Sequence, residues 1–151
     1  MFKGATSFTG DGISNWNTDR VDSLPWTFSA CPSFTGDSLS NWNTASVTDL
    51  QGVFDGSSAF TGYSMIRWNI DKVTDITKFR DAFIGTNAIQ PCTKRFIARS
   101  NSWQNNAAFM SAYGNDWLTD VPESECPCDF EADNYRLRFY VDDWLRDSVR
   151  I

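Results

Sequence analysis

The sequence predicts an α/β solenoid, a fold in which similar turns of chain stack on one another, and three observations support this prediction. The segment 33–50 recurs almost unchanged 26 residues earlier and, in a more divergent form, 26 residues later. Large apolar residues occupy equivalent positions in all three copies. Aromatic residues make up 15% of the chain, with seven Trp and twelve Phe, which suits turns that bury little surface individually.

The first copy runs from residue 1 to about 26, the second from 27 to about 52 and the third from 53 to about 81. A fourth copy opens at Ala82, three residues late, and the pattern then fails. Eight columns align at a spacing of 26: Phe2, Phe28, Phe54; Phe8, Phe34, Phe60; Gly10, Gly36, Gly62; Ile13, Leu39, Met65; Trp16, Trp42, Trp68; Asn17, Asn43, Asn69; Val21, Val47, Val73; and Leu24, Leu50, Ile76.

Each turn is predicted to carry one short strand and one short helix or 3₁₀ segment, because a period of roughly 20–29 residues is typical of leucine-rich-repeat coils. Residues 37–42 are the strand candidate. Val47, Leu50 and Phe54 fall at i, i+3 and i+7, which predicts the helix. Pro25 keeps the equivalent helix of the first copy short, because proline is tolerated only in a first helical turn.

The predicted organisation has four parts: a solenoid of three to four turns at 1–89, a helical cap at 90–116, a linker at 117–128 and an amphipathic helix at 129–151. A cap is expected because the last turn of a stack has an apolar face without a neighbour. Pro91 marks the first turn of the cap helix. In the tail, apolar residues recur at i, i+4, i+7 and i+8, at Leu137, Val141, Trp144 and Leu145.

Charge and composition exclude several function classes. The formal net charge is −6 and the chain contains no His. We expect no nucleic-acid binding, because that requires clustered Lys and Arg. Without His, the commonest general base and metal ligand, the sequence predicts no enzyme, no catalytic residue, no metal and no cofactor. No apolar run reaches about 18 residues, so we expect no membrane insertion.

The four cysteines leave their pairing open. They are Cys31, Cys92, Cys126 and Cys128. Cys126 and Cys128 are too close in sequence to bridge each other easily, so one of them can pair with Cys92 in an oxidising compartment.

Some columns have a functional and a structural interpretation. The Trp column can form a stacking platform for sugars or peptides, but a core is favoured, because three adjacent exposed Trp would make an unusually large apolar patch. The Asn column can bind ligand amides, but a buried ladder bonded to the neighbouring turn is favoured. Threonines at 9, 35 and 61 suggest ice binding, but a corner turn is favoured. Asp49 and Asp75 indicate helix caps rather than calcium ligands or catalytic carboxylates.

The repeat unit resembles a known family. Its Met1-Phe2-x-Gly4-Ala5-x-x-Phe8 and Ile13-Ser14-x-Trp16-Asn17-Thr18-x-x-Val21-x-x-Leu24 motifs resemble BspA-like leucine-rich-repeat surface proteins and, more closely, the mycoplasma lipoprotein-type repeat, a family of unknown function. The match covers residues 1–85. The tail resembles the family helix that precedes an array, through Asn134, Tyr135, Val141, Trp144 and Leu145.

The resemblance implies a secreted or surface-displayed protein with a role in adhesion and protein–protein interaction. Because the first residues fall inside a repeat, and because the tail resembles a helix that opens an array, we expect the chain to be a piece of a longer protein. The extracellular location follows from the resemblance alone, since no signal peptide is evident in the sequence.

These observations together predict a non-enzymatic binding module whose partner is another protein or a surface glycan. The partner would contact positions that vary between copies, and the candidate residues are Ser14, Asn15, Ser40, Asn41, Ile66 and Arg67. The alternative is a structural spacer or self-associating element, because an uncapped first repeat allows end-to-end association. Glycan binding and a carbohydrate-active enzyme are weaker alternatives.

Overall fold

The computed structural model of the chain describes residues 1–120 and 125–126. The chain divides into two units, Met1–Val121 and Pro122–Ile151. The first unit begins with the repeats, which are built of turns and three short 3₁₀ helices, Asp37–Leu39, Tyr63–Arg67 and Ile76–Phe79. Helices follow them: α1 (Pro91–Arg99), α2 (Asn101–Gln104), α3 (Ala107–Phe109), a π-helix (Met110–Gly114) and α4 (Asn115–Thr119). The tail helix predicted for 129–151 lies outside the described residues.

The predicted α/β solenoid of leucine-rich-repeat type is wrong, because the repeats contain no strand. Across residues 1–120 the only strand-like pairing is one isolated parallel bridge, between Ser23 and Asp49. The strand candidate at 37–42 instead begins with a 3₁₀ helix. Gly36 adopts a left-handed conformation with φ of 87°, and its carbonyl accepts the Leu39 N–H at 3.0 Å. That local bond closes a tight turn where an extended strand was expected.

The helix predicted from Val47 to Phe54 is also absent: residues 51–54 form turns, and the segment before them contains the bridge residue Asp49. Gly52 has φ of 59° and the equivalent Trp26 has φ of 55°. A left-handed residue in the middle of the segment interrupts a right-handed helix. In the third copy a short 3₁₀ helix does form at this position, and Asp75 caps it by accepting the Thr77 N–H at 2.8 Å.

Neighbouring copies contact each other through backbone hydrogen bonds at every second residue. Where the first copy ends and the second begins, N–H groups of Leu24, Trp26 and Phe28 donate to carbonyls about one copy later, those of Asp49, Gln51 and Val53, at 2.8–2.9 Å. One copy later, Leu50, Gly52 and Phe54 donate to Lys78, Arg80 and Ala82 at 2.8–3.0 Å. These bonds satisfy the main chain between copies, as the ladder of a sheet would.

The core consists of aromatic columns that run along the stack. Phe28 lies between Phe2 and Phe54, with ring centroids 5.7 and 5.8 Å apart. The exposed fraction of the Trp side chains falls along their column, from 42% at Trp16 to 6% at Trp42, and Trp68 is 2% exposed. The prediction that this column belongs to the core is therefore confirmed for the second and third copies, and the first copy presents its ring to solvent.

The helices that follow the repeats imitate a further repeat. The indole N–H of Trp42 donates to the Ile13 carbonyl at 2.9 Å, and that of Trp68 lies 3.5 Å from the Leu39 carbonyl. Trp103 of α2 makes the same bond to the Met65 carbonyl at 2.8 Å, and it is fully buried. The helices thus supply the next member of the Trp column from a different secondary structure, which covers the apolar face of the third copy.

Candidate functional site

The six predicted contact residues form three pairs at equivalent positions of consecutive copies. We call them the pair row: Ser14 and Asn15, Ser40 and Asn41, and Ile66 and Arg67. Four of these side chains are exposed, and those of Ser14 and Ile66 are half-buried. The second pair follows the 3₁₀ helix Asp37–Leu39, and the third ends the 3₁₀ helix Tyr63–Arg67. The structure thus brings the six residues to the surface, in register along the stack.

Each pair is fixed immediately beside a bond to the core. The residue before each pair is buried, and its carbonyl accepts the indole N–H of the Trp in the next copy or in α2. A buried carbonyl held in this way loses the freedom to reorient, so the two residues that follow it keep a fixed position. The Ser40 hydroxyl is also used locally, since it donates to the Asp37 carbonyl at 2.8 Å.

Carboxylates accompany the first two pairs, three residues earlier in the chain. Asp11 accepts a hydrogen bond from the Thr9 hydroxyl at 2.8 Å, and Asp37 accepts one from the Thr35 hydroxyl at 2.9 Å. Both carboxylates are exposed, and Tyr63 takes their place in the third copy. The surface beside the pair row is therefore acidic in two copies, and Arg67 makes the third pair cationic.

The predicted buried ladder of Asn side chains is wrong. Each side-chain carbonyl of Asn17, Asn43 and Asn69 accepts the N–H two residues later in its own turn, at 2.9–3.1 Å, and all three residues are exposed. The buried bonds between copies come instead from Thr18 and Thr44. Their buried hydroxyls accept the N–H of Asn43 and Asn69 at 2.8 and 2.9 Å. The Asn43 amide donates to the exposed Asp19 carboxylate of the first copy at 2.9 Å. A short hydroxyl fits between closely packed turns, whereas Asn favours local turn bonds.

The described cysteines separate into one structural thiol and two disulfide-bonded residues. Cys31 is buried and free, and its thiol donates to the Phe2 carbonyl at 3.0 Å. Ser57 occupies the same position one copy later and donates to the Phe28 carbonyl. Cys31 therefore acts as a hydrogen-bond donor between copies, and burial raises its pKa. Cys92 and Cys126 are both disulfide-bonded, and Cys128 lies outside the described residues.

Sequence reasoning missed a cavity between the end of the repeats and the helices. Its volume is about 250 Å³, and the rings of Phe83, Tyr113 and Trp117 contribute to its wall. The spacing of four between Tyr113 and Trp117 is a helical signal that was available in the sequence. The sequence alone did not place either residue next to Phe83, because that contact joins segments thirty residues apart.

Within the described part of the chain, no cluster of acidic residues and cysteines has a geometry suited to a metal ion. Among the same residues, no helix has both the length and the apolar character needed to cross a membrane. The nature of any partner stays a prediction.

Comparison with known proteins identifies the family. Neither the curated proteins nor the solved structures gave a match. The family described as "Mycoplasma protein of unknown function, DUF285" matches residues 1–115, which contain all the repeats and the helices up to the π-helix. Because this match covers most of the 151 residues, the chain belongs to the DUF285 family of mycoplasma proteins of unknown function.

Proposed function

We propose that this protein is a non-enzymatic binding module that contacts a protein partner through the pair row. The observation that carries the proposal is the anchoring of each pair by a buried indole–carbonyl bond, which holds variable surface residues on a repeated frame. Binding by a preformed surface requires little ordering of side chains or main chain. A row of small polar residues with the carboxylates of Asp11 and Asp37 beside it suits a partner with hydrogen-bonding and basic groups.

Selection of peptide ligands tests this proposal without a known partner. A random peptide library is selected on the immobilised protein, and the selected peptides are then measured against two double variants. The first, Asn15→Lys with Asn41→Lys, places two cations in the pair row. The second, Ser7→Lys with Ser58→Lys, places two cations at exposed positions outside it.

If the pair row is the preferred contact surface, most selected peptides bind the first variant at least tenfold more weakly and bind the control as they bind the wild type. Each lysine buried against a mismatched partner costs about 1–2 kcal/mol, which corresponds to this change. Peptides that bind the first variant as tightly as the wild type overturn the proposal.

We also propose that the protein acts outside the cell or on its surface. Disulfide bonds at Cys92 and Cys126 support this location, because disulfides persist in oxidising compartments. The resemblance of the repeated columns to those of BspA-like surface proteins is a second support. Proteolysis of intact cells that express the protein tests the location, since an internal protein stays protected.

A structural spacer that self-associates is the alternative. Trp16 is an exposed aromatic side chain, with 42% of its surface accessible, and in this alternative it would lie in the contact between two copies of the chain. Sedimentation at several protein concentrations tests this alternative, which predicts a dimer that Trp16→Lys abolishes. A monomer at every concentration contradicts it.

A further inference from the structure

The cavity beside the repeats is partly open to solvent and is lined by two different parts of the fold. The turn 83–89 that follows the third copy forms one wall, and α1, the π-helix and α4 form the other. The ring centroid of Phe83 lies 5.1 Å from that of Tyr113 and 5.0 Å from that of Trp117. The aromatic wall is therefore part of the packed interior, and its position is set by the core.

A π-helix places one of these rings. Residues Met110–Gly114 form a single π-helical turn that runs directly into α4. Such turns are rare and occur frequently at functional sites, because they shift the side chains of a helix relative to its neighbours. Tyr113 lies in this turn and Trp117 lies four residues later, and their ring centroids are 6.0 Å apart.

The polar groups that line the cavity are hydroxyl, amide and ammonium groups, and none of the described residues that line it is a carboxylate. Thr86, Asn87, Lys94 and Tyr113 provide them. The Thr86 hydroxyl already donates to the Phe83 carbonyl at 2.7 Å, so it fixes the turn. The Asn87 side chain is exposed and makes no hydrogen bond within the described residues. Burial raises the pKa of Tyr113, so its hydroxyl stays protonated and can donate.

Lys94 gives the cavity its charge. Its ammonium is partly exposed and lies 3.4 Å from the Asp120 carboxylate. This separation exceeds the roughly 2.7–2.9 Å of a strong charge-assisted hydrogen bond, so the pair leaves donor capacity on Lys94. An anionic ligand group is therefore favoured, and a metal cation is not.

We propose that this cavity binds a single sugar ring that carries a carboxylate, as a unit of an acidic glycan. The ammonium of Lys94 would bind the carboxylate, and the Asn87 amide and the Tyr113 hydroxyl would bind ring hydroxyls. The aromatic wall would pack against the C–H groups of the ring. A volume of about 250 Å³ is below the usual range for drug-sized ligands, which suits one ring rather than an oligosaccharide.

A peptide carboxyl terminus with an apolar side chain is the competing ligand. It would use Lys94 and the rings but would leave the Asn87 amide and the Tyr113 hydroxyl without a matching group. Polar groups left unpaired on binding reduce affinity, so the distribution of polar groups favours the sugar. The inference concerns a site separate from the pair row and does not depend on the proposed protein-binding function.

Calorimetric titration of the full chain tests the proposal. The probes are the methyl glycosides of glucuronic acid and N-acetylneuraminic acid, and their methyl esters serve as controls that remove only the charge. We expect saturable binding of at least one acid and about tenfold weaker binding of its ester. We expect the same tenfold loss for Lys94→Gln and a smaller loss for Asn87→Ala.

Lys72→Gln is the matched control, because Lys72 is exposed and does not line the cavity. It should bind the acid as the wild type does. The double variant Asn15→Lys with Asn41→Lys should also bind normally, so that failure of this site and failure of the pair row are distinguishable. The proposal is overturned if neither acid binds, if Lys94→Gln binds unchanged, or if a tripeptide ending in Trp with a free carboxylate displaces the sugar at lower concentration.

Discussion

The replacement of Gly36 by Ala probes how closely neighbouring copies pack. Gly36 has φ of 87°, and an ideal Cβ there would lie 2.5 Å from Cδ2 of the buried Phe60 and closer still to Cε2. Two costs therefore combine. An L-residue in the left-handed region costs about 1–2 kcal/mol, and forcing an extra carbon into a packed core costs about 1–3 kcal/mol. Lower entropy of the unfolded chain returns about 0.5 kcal/mol.

We expect Gly36→Ala to lower the free energy of unfolding by about 2–4 kcal/mol, a large part of the roughly 5–15 kcal/mol of an ordinary domain. Gly12→Ala is the matched control. Gly12 has nearly the same φ, 85°, but nothing lies within 4 Å of its ideal Cβ. It should cost only about 1 kcal/mol, because the backbone strain is present and the steric clash is not.

Urea unfolding followed by Trp fluorescence measures both variants, and the difference between them isolates the clash with Phe60. Equal destabilisation by the two substitutions would refute the reasoning, because it would mean that the neighbouring copy is not packed against Gly36. If Gly36→Ala is too unstable to purify, the double variant Gly36→Ala with Phe60→Leu is measured instead. The smaller Leu should then recover part of the lost stability.

Three further predictions concern single side chains. Trp103→Phe should lower the free energy of unfolding by about 2 kcal/mol, because the buried Met65 carbonyl loses its donor. Cys31→Ser should be tolerated within about 1 kcal/mol, since serine fills the equivalent position of the next copy, while Cys31→Ala should cost about 1–2 kcal/mol more. Hydrogen bonds from the Thr77 N–H and, second, from the Thr77 hydroxyl lower the pKa of Asp75 below its ordinary value of 3.8. The stability that the Asp75 cap contributes is therefore present above pH 3.8 and is lost as the pH falls through the lowered pKa. Asp75→Asn should remove this pH dependence.

Urea unfolding measures all three, the last at several values between about pH 6 and about pH 2. Trp16→Phe is the control for Trp103, because Trp16 is 42% exposed and its replacement should cost less than about 1 kcal/mol. A Cys31→Ala variant as stable as Cys31→Ser would show that the thiol bond to Phe2 contributes nothing. An unchanged pH profile for Asp75→Asn would contradict the role of the cap.

The repeat and its columns were readable from the sequence, and the secondary structure was not. The period of 26 aligned Phe28, Phe54 and Trp42 correctly as stacked core residues, because identical turns can bury large rings only against each other. The same period suggested strands and helices by analogy with coils of similar length. Left-handed residues at Gly36 and Trp26 instead interrupt both elements. The conformation of Trp26 could not be predicted from the sequence, because the left-handed region is uncommon for a bulky residue.

The roles of the polar columns were also only partly predictable from the sequence. Asn and Thr both recurred at fixed spacing, and the sequence could not tell which of them bonds across copies. The structure assigns the buried bonds to Thr18 and Thr44, whose hydroxyls accept N–H groups of the next copy, whereas the Asn43 amide reaches only an exposed carboxylate. The bond between Trp103 and the third copy could not be predicted for a different reason. Trp103 lies 35 residues after Trp68, outside the period, and only the folded helices bring its indole to the Met65 carbonyl.

By itself, the sequence determined that the protein is a stack of similar turns with an aromatic core, and it indicated which surface residues vary between copies. Tertiary structure alone decided that these turns contain no strands, that short helices complete the stack, and that a cavity lined by Tyr113 and Lys94 lies beside them. The physical reason is that periodicity records which residues must be buried together. The path of the backbone and the contacts between distant segments depend on left-handed turns and on packing between copies, which no local pattern encodes.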